Sequence, residues 1–270
     1  MTEERFDRGA AAYGELLTSP LGRLRTELAV RQLRRLVRLS DVEVLDVGAG
    51  TGEIALRLAA EGANVTVLDP AKAMIEQAQR NAAAAPAAVR QRLRFVQSKV
   101  EDVADAWSDA RFQLVIAHCT LEYLEDEPIW SVLSRLTGPG GSVSVVVPNR
   151  HFVPLGLAVR GLCQRALDAL GSPRTEPDMT FGIQRRVYEV DGLRSRAARS
   201  GLVISGMFGI RVAADFVPDV ALEKDFGAIL AFEDAAGAVS PYADIARFIH
   251  VVAMRDVRDD ERTTIRRSIP

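Results

Sequence analysis

Three glycines at alternate positions mark the part of this chain whose spacing best suits ligand chemistry. They are Gly48, Gly50 and Gly52, within the run LDVGAGTGE at residues 45–53. The run follows a short apolar segment and precedes a helical stretch, so it predicts a turn between a strand and a helix. Glycines in such a turn let the backbone approach a ligand closely, and the helix N-terminus directs amide groups at a polar atom. The run therefore predicts a binding loop.

A dinucleotide-binding fingerprint is the obvious alternative for this loop. That pattern requires a glycine or alanine three positions after the second glycine of the motif, and Glu53 stands there. The spacing therefore does not support a pyrophosphate site of the dinucleotide type.

Strand and helix signals alternate on both sides of the loop. Apolar and β-branched runs predict strands at residues 42–47, 64–68, 93–97, 112–117 and 142–147, and helical patterns separate them at 53–60, 71–85 and 127–136. This order predicts an α/β fold with a parallel sheet covered on both faces. Such a sheet binds its ligand beyond the carboxyl ends of its strands.

The flanking segments differ from this pattern. Residues 1–40 predict an N-terminal helical cap, and residues 41–256 the main domain. Within that domain, residues 148–186 predict a lid-like insertion after the fifth strand, with a helix at 155–170 followed by a loop rich in Gly, Pro and Ser. Later segments are predicted as helices at 190–200 and 219–236, strands at 202–213 and 247–254, and a flexible tail at 257–270.

The residues before and between the glycines extend the motif. Asp46 lies two residues before Gly48, and Ala49 separates the first two glycines. The whole pattern resembles the first motif of class I S-adenosylmethionine-dependent methyltransferases. The resemblance implies a Rossmann-like, doubly wound sheet of seven strands, S-adenosylmethionine as cofactor, and a cofactor-binding role for Asp46, Gly48, Ala49, Gly50 and Gly52.

Acidic residues follow the next two strands, as they do in that family. Asp69 ends the second strand, where the family uses a carboxylate to bind both ribose hydroxyls; with Pro70 it also fits a helix cap. Glu101 or Asp102 follows the third strand, where the family places an acidic side chain against the adenine, although either could cap a helix. The run LTGPGG at residues 136–141 resembles the turn before the fifth strand.

A patchy resemblance to one subgroup, the tRNA 5-carboxymethoxyuridine methyltransferases, covers almost the whole chain. Its motifs are Phe6-Asp7, GRLR at 22–25, AHCTLEY at 117–123, PNRH at 148–151, GIRV at 209–212 and FIHV at 248–251. The resemblance implies that Arg25 pairs with the methionine carboxylate of the cofactor and that His118 lies beside the methionine moiety. His250, in the middle of a predicted strand, is expected to be structural.

The acceptor decides whether a catalytic base is needed. A carboxylate is already ionised at neutral pH and needs none, whereas a phenol, alcohol or ammonium acceptor needs a base, for which His118 and His151 are the candidates. Asn149 and His151 open the insertion, where they could line the acceptor pocket or simply form a turn.

The insertion departs from the subgroup. A run of lysines is expected there to meet tRNA phosphates, but residues 171–178 (GSPRTEPD) hold one arginine and two acids. Arginines nearby could replace the lysines: Arg185, Arg186, Arg194, Arg196 and Arg199, and near the N-terminus Arg31, Arg34, Arg35 and Arg38. Because phosphate contacts supply much of the affinity for nucleic acid, a small-molecule acceptor methylated at oxygen is the first hypothesis. A tRNA substrate is the second, and a cofactor-binding scaffold without turnover the third.

Composition sets broad limits on these hypotheses. The 34 Lys and Arg residues against 36 Asp and Glu give a formal charge of −2, which argues against a surface wholly devoted to nucleic acid or to an anionic membrane. No apolar run is long enough for a membrane span, and the N-terminus lacks a signal-peptide pattern, so a cytoplasmic location is expected. The two cysteines suggest neither a disulfide framework nor a metal site. The oligomeric state stays open.

Overall fold

The computed structural model describes residues 3–107, 112–171 and 174–256. Its strands are β1 (Glu43–Val47), β2 (Asn64–Asp69), β3 (Leu93–Gln97), β4 (Phe112–His118), β5 (Thr137–Pro148), β6 (Thr175–Asp178), β7 (Ile183–Arg186), β8 (Leu202–Ile210) and β9 (Phe248–Arg255). Its α-helices are α1 (Glu3–Thr18), α2 (Pro20–Arg34), α3 (Glu53–Ala60), α4 (Lys72–Ala83), α5 (Ala87–Arg90), α6 (Val100–Ala106), α7 (Asp126–Leu136), α8 (Phe152–Val159), α9 (Cys163–Leu170), α10 (Val190–Arg199), α11 (Asp219–Lys224) and α12 (Phe226–Ala236). Short 3₁₀ turns occur at Leu121–Tyr123, Ala214–Phe216 and Ala243–Ile245.

Seven of the strands form one sheet in the order β3-β2-β1-β4-β5-β9-β8, and β6 pairs with β7 as a separate hairpin. Neighbouring strands from β3 to β5 are parallel, whereas β9 runs antiparallel between β5 and β8. The winding direction reverses between β1 and β4, which opens a crevice at their carboxyl ends. The predicted doubly wound sheet of seven strands is the one observed.

The central strands are buried on both faces, which explains why they are almost continuously apolar. Along β1, Val44 joins one core cluster with Leu114 and Ile116, whereas Leu45 joins the opposite cluster with Val115. Adjacent side chains therefore supply the two cores in turn, and the strand ends are held in register where the ligand site is expected.

The N-terminal cap consists of two helices. Ser19 caps α2 by accepting a hydrogen bond from the backbone amide of Gly22, and Pro20 begins the helix. The buried face of α2 carries Leu24 and Leu28, which share a core cluster with Val146 of β5 and Phe248 of β9. The helix is thereby fixed beside the crevice.

Several predicted elements have different bounds or a different form. The glycine-rich run at 136–141 is a turn in the prediction, but it begins β5, where a shift in pairing separates Phe112 from Leu114. The strand predicted at 202–213 ends at Ile210, since Arg211 adopts a positive φ of 63° that leaves the extended region. The helix predicted at 219–236 is divided into α11 and α12 at Asp225.

The insertion is the largest difference. The single helix predicted at 155–170 is two helices, α8 and α9, and part of the predicted loop forms the β6–β7 hairpin. The predicted tail at 257–270 lies outside the described residues. Among the described residues no helix combines the length and the apolar character that crossing a membrane requires.

Candidate active site

Three adjoining cavities lie at the carboxyl ends of the strands. The inner cavity, about 290 Å³, lies over β1 and β2; the small cavity, about 40 Å³, lies beside Asp46 and His118; and the outer cavity, about 830 Å³, lies under the insertion. Tyr13 of α1 lines all three, and Arg25 lines the small and outer ones. A molecule spanning the first two cavities would therefore present one part to the third.

The glycine loop forms the floor of the inner cavity because its backbone conformation excludes larger residues. Gly48, Gly50 and Gly52 have φ angles of 61°, 57° and 83°, which L-residues with side chains rarely adopt. A Cβ atom on Gly48 would lie 2.3 Å from Cγ2 of Thr120, and one on Gly50 would lie 2.9 Å from Cε1 of Tyr13. The loop therefore presents bare backbone to the cavity, as the motif predicts.

Asp69 lines the inner cavity and also holds the loop in place. Its Oδ2 accepts a hydrogen bond from the backbone amide of Gly50 at 2.9 Å, and its Oδ1 accepts one from Ala71 at 2.9 Å. The carboxylate thus caps the turn before α4 and also lines the cavity together with Pro70, while its ribose role stays a prediction. Burial raises the pKa of Asp69 to about 6.

The small cavity is lined by two acids, the buried Asp46 and the half-buried Glu53. The Oδ2 atom of Asp46 is fully buried, and the described residues give it no hydrogen-bond partner. Burial, followed by the charges of Asp69 and Glu53, raises its pKa well above the usual range. Glu53 accepts hydrogen bonds from the hydroxyl of Thr51 and lines the same cavity. An unpaired buried polar atom is costly, so Asp46 marks a position where a ligand donor would fit.

Arg25 closes the other side of the small cavity. Its guanidinium donates to the hydroxyl of Tyr13 and to the sulfur of Cys119, each at 3.4 Å, and lies 5.7 Å from the ring centre of Phe248. Within the described part of the chain no carboxylate forms a salt bridge with it. Its charged hydrogen-bonding capacity is therefore available to an anionic ligand group.

The other predicted acids occupy different positions. Glu101 lines the inner cavity next to Lys99, whereas Asp102 is exposed and absent from its lining. Lys99 forms a salt bridge of 2.8 Å with Glu3 of α1, which links the cap to the start of α6. The structure thus brings Glu101, and not Asp102, together with the other candidate residues.

The two candidate bases are separated. His118 lines the small cavity, and its Nε2 lies 2.8 Å from the hydroxyl of Ser144; burial lowers its pKa well below the usual range. His151 is exposed at the start of α8 and belongs to none of the three cavity linings. Asn149 is buried, and its amide donates to the backbone carbonyls of Asp244 and Ala246, so it secures the turn.

The outer cavity is bounded by the insertion and carries six arginines. They are Arg25, Arg160, Arg165, Arg185, Arg211 and Arg247. Three are held by acids of the same wall: Arg185 lies 2.6 Å from Glu176, Arg247 lies 3.5 Å from that carboxylate, and Arg211 donates to Asp215 at 2.8 Å. Arg160 and Arg165 are exposed. The cavity is therefore cationic along one part of its wall and internally neutralised along another.

Sequence reasoning missed the aromatic wall between the inner and outer cavities. Phe6 and Tyr13 of α1 pack on Phe181 of the insertion, with ring centres 4.7 and 5.5 Å apart, and Phe6 also packs on Tyr123 at 5.2 Å. The spacing of Phe6 and Tyr13, seven residues apart on one helix face, is a signal that could have found them. Their partners come from distant segments and have no such local signal.

Comparisons with known proteins bear on the fold and the class of this domain. Residues 44–141 match the family model described as a methyltransferase domain. The tRNA 5-carboxymethoxyuridine methyltransferase of Escherichia coli (strain K12) is 27% identical over 279 aligned residues, covering 97% of this chain and 100% of that protein. The ubiquinone biosynthesis O-methyltransferase of Vibrio atlanticus (strain LGP32) is 35% identical over 120 residues, covering 44% of this chain and 48% of that protein.

This chain contains a methyltransferase domain. Its class is that of the S-adenosylmethionine-dependent methyltransferases, as the glycine loop predicts. Magnesium protoporphyrin IX methyltransferase from Synechocystis PCC 6803 shares the fold, with a TM-score of 0.56 at 15% identity over 88% of this chain and 86% of that one. The predicted fold and enzyme class are confirmed, while the acceptor and the role of each site residue stay predictions.

Proposed function

We propose that this methyltransferase transfers a methyl group to an oxygen atom of an anionic small molecule bound in the outer cavity. The main support for this proposal is that an arginine-lined cavity of about 830 Å³ adjoins the small cavity at Tyr13 and Arg25. Ligand sites of this kind are concave, with an apolar lining and a few convergent polar groups. A carboxylate that becomes a methyl ester fits this setting.

The inner and small cavities suit S-adenosylmethionine. We assign the adenosine side to Gly48, Gly50, Asp69, Pro70 and Glu101, which line the inner cavity, and keep Asp102 as the weaker candidate. We assign the methionine side to Arg25, Asp46, Ala49 and His118, which line the small cavity; Gly52 shapes the loop between them. The Asp46 carboxyl oxygen that lacks a hydrogen-bond partner suits the ammonium group of the methionine moiety. Arg25, which forms no salt bridge within the described residues, suits the carboxylate of that moiety.

When bound, the cofactor supplies a methyl group activated by a sulfonium. The protein then has to orient the acceptor and exclude water. The exposed Arg160 and Arg165 would hold an anionic acceptor, and the aromatic wall of Phe6, Tyr13 and Phe181 would cover the junction. For this function we propose the cap at 1–40 and the insertion at 148–186 as the two covers of the site.

A carboxylate acceptor needs no base from the protein. If the acceptor is instead a phenol or an alcohol, His118 is the better placed base, because it lines the small cavity while His151 lies outside all three linings. The lowered pKa of His118 keeps its ring neutral at pH 7 but also makes it a weak base. This balance favours the carboxylate.

A tRNA carboxyl group is the second candidate acceptor. The full-length similarity to the tRNA 5-carboxymethoxyuridine methyltransferase supports it. Against it, several arginines that could replace a lysine run are occupied within the protein: Arg185 by Glu176, Arg196 by Asp126, Arg34 by Glu61 and Arg35 by Asp234. Fewer cations are thereby left for phosphates.

Incubation with cofactor labelled in its methyl group tests the two acceptors directly. One reaction receives bulk tRNA, and the other receives a panel of small aromatic and aliphatic carboxylates. We expect label in a small ester that mild alkali releases. Label in the tRNA fraction that disappears after nuclease treatment would replace this proposal with the tRNA reaction, and cofactor binding without any labelled product would favour a scaffold.

Arg25→Ala tests the cofactor assignment separately from the acceptor. Because a charged hydrogen bond contributes about 1.5–3 kcal/mol, the variant is expected to bind cofactor at least tenfold more weakly in calorimetry. Arg23→Ala, on the same helix but exposed and outside all three cavity linings, is the matched control and should bind as the wild type does. Equal binding by both variants would remove Arg25 from the site.

A further inference from the structure

A series of hydrogen bonds, here called the relay, runs from His118 at the small cavity through Ser144 and His250 to Gln32 in the core. Nε2 of His118 lies 2.8 Å from the hydroxyl of Ser144, and that hydroxyl lies 2.9 Å from Nε2 of His250. Nδ1 of His250 lies 2.7 Å from Oε1 of Gln32, whose amide nitrogen donates to the carbonyl of Gly209 at 3.0 Å. Gln32, Ser144 and His250 are each 0% exposed.

The acceptor at the core end of the relay determines the direction of every hydrogen bond in it. The carbonyl of Gly209 can only accept, so Gln32 directs its NH₂ group there and its oxygen towards His250. Nδ1 of His250 must then carry the proton. Burial lowers the pKa of His250 to about 3, which keeps the ring neutral, so its Nε2 is an acceptor.

The same logic continues to the cavity. Ser144 donates its hydroxyl proton to Nε2 of His250, which leaves the lone pairs of its oxygen facing Nε2 of His118. Nε2 of His118 is therefore the donor, and its Nδ1 carries the lone pair. The described residues offer no hydrogen-bond partner to Nδ1, and His118 lines the small cavity.

We propose that Gln32, His250 and Ser144 are positioning residues that hold His118 as the Nε2–H tautomer, with Nδ1 kept as a hydrogen-bond acceptor for the ligand of the small cavity. That acceptor suits an ammonium or hydroxyl donor. Its use by the methionine moiety of S-adenosylmethionine rests on the proposed function, whereas the tautomer itself does not. His118 and His250 are thus held as opposite tautomers.

The chain has three histidines in all, which makes the proposal directly measurable. In protein labelled with ¹⁵N at histidine, long-range proton–nitrogen correlation spectra identify which ring nitrogen carries the proton. We expect Nε2–H for His118 and Nδ1–H for His250 at pH 7.5, and the exposed His151 provides a signal that His151→Gln removes for assignment. The same tautomer on His118 and His250, or Nδ1–H on His118, would overturn the proposal.

Substitutions separate positioning from packing. Ser144→Ala should leave the His250 signals in place, shift His118 to a mixture of tautomers, and weaken cofactor binding by about threefold to tenfold, the usual range for one hydrogen bond. Ser142→Ala, on the same strand and outside the relay, is the matched control. Gln32→Leu should release both rings from their fixed tautomers.

The outcomes separate this inference from the enzyme's proposed reaction. Unchanged His118 signals in Ser144→Ala would refute the relay even if the variant bound cofactor poorly. Opposite tautomers in the wild type together with no methylated product from any acceptor would support the relay and refute the proposed function. The wild-type spectra alone decide the central point if a variant fails to fold.

Discussion

The walls of the inner and outer cavities are built in different ways. The inner cavity is floored by backbone, because Gly48 and Gly50 adopt positive φ angles and Asp69 accepts one amide hydrogen bond from the loop at Gly50 and one from Ala71 at the start of α4. The outer cavity is bounded by long charged side chains, with Arg185 and Arg247 held against Glu176. A floor of backbone atoms fits one ligand shape, whereas a wall of charged side chains can acquire a different ligand specificity through a few substitutions. This difference agrees with a cofactor that methyltransferases share and acceptors that differ among them.

Arg185→Ala tests whether the outer cavity wall depends on its ion pairs, and it has the largest expected effect. The variant leaves Glu176 and Asp178, both buried, without their main cation, although Glu176 keeps Arg247 and Asp178 keeps the hydroxyl of Tyr123. Breaking a buried pair in this way is expected to lower the free energy of unfolding by about 3 kcal/mol, as urea denaturation would measure. A loss below 0.5 kcal/mol, equal to that of the exposed control Arg165→Ala, would mean that the wall does not depend on this pair.

Asp69→Ala makes the corresponding change in the inner cavity. Loss of a charged acceptor is expected to weaken cofactor binding by about 1.5–3 kcal/mol, a tenfold effect or more in calorimetry. Because burial raises the pKa of Asp69 to about 6, cofactor affinity of the wild type should also decline as the pH falls below 6. Asp69→Asn should show weak binding without that decline. Wild-type affinity in a folded Asp69→Ala protein would remove the ribose assignment.

The sequence predicted the backbone floor of the inner cavity because the determinants of that floor are local. The turn, its glycines and the acid that ends β2 lie within residues 45–70, and each follows from backbone conformation or strand position. The outer wall could not be predicted in this way. The β6–β7 hairpin is tied to the rest of the wall through Asp178, which accepts a hydrogen bond from the hydroxyl of Tyr123, a residue more than fifty positions earlier. The relay from Gln32 to His118 is equally non-local, and so His250 could be predicted only as structural.

Glu122 directly precedes Tyr123, which lines both the inner and the outer cavity, and its burial makes the stability of the fold depend on pH. Its carboxyl oxygens are buried without a hydrogen-bond partner beyond their own residue, and burial raises its pKa to about 8. The folded protein therefore retains a proton that the unfolded chain releases above pH 4.5, so this group lowers stability as the pH rises from 4.5 to 8. Glu122→Gln removes that cost.

The stability advantage of Glu122→Gln over the wild type should accordingly grow with pH. We expect the difference in free energy of unfolding to increase by about 2 kcal/mol from pH 5 to pH 7.5, as denaturant titrations at each pH would show. The exposed Glu125→Gln is the matched control and should stay within about 0.5 kcal/mol of the wild type. A difference that stays constant across this range would place the Glu122 carboxyl in a solvated environment.

The rim of the inner cavity allows the finest comparison, between two adjacent acids. Glu101 lines the cavity and Asp102 does not, although both are exposed at the start of α6. A single exposed hydrogen bond contributes about 0.5–1.5 kcal/mol, so Glu101→Ala should weaken cofactor binding by roughly threefold to tenfold. Asp102→Ala, one residue away with the same charge change, should bind as the wild type does. If Asp102→Ala has the larger effect, the cofactor approaches α6 from its other side, and the adenine contact belongs to Asp102.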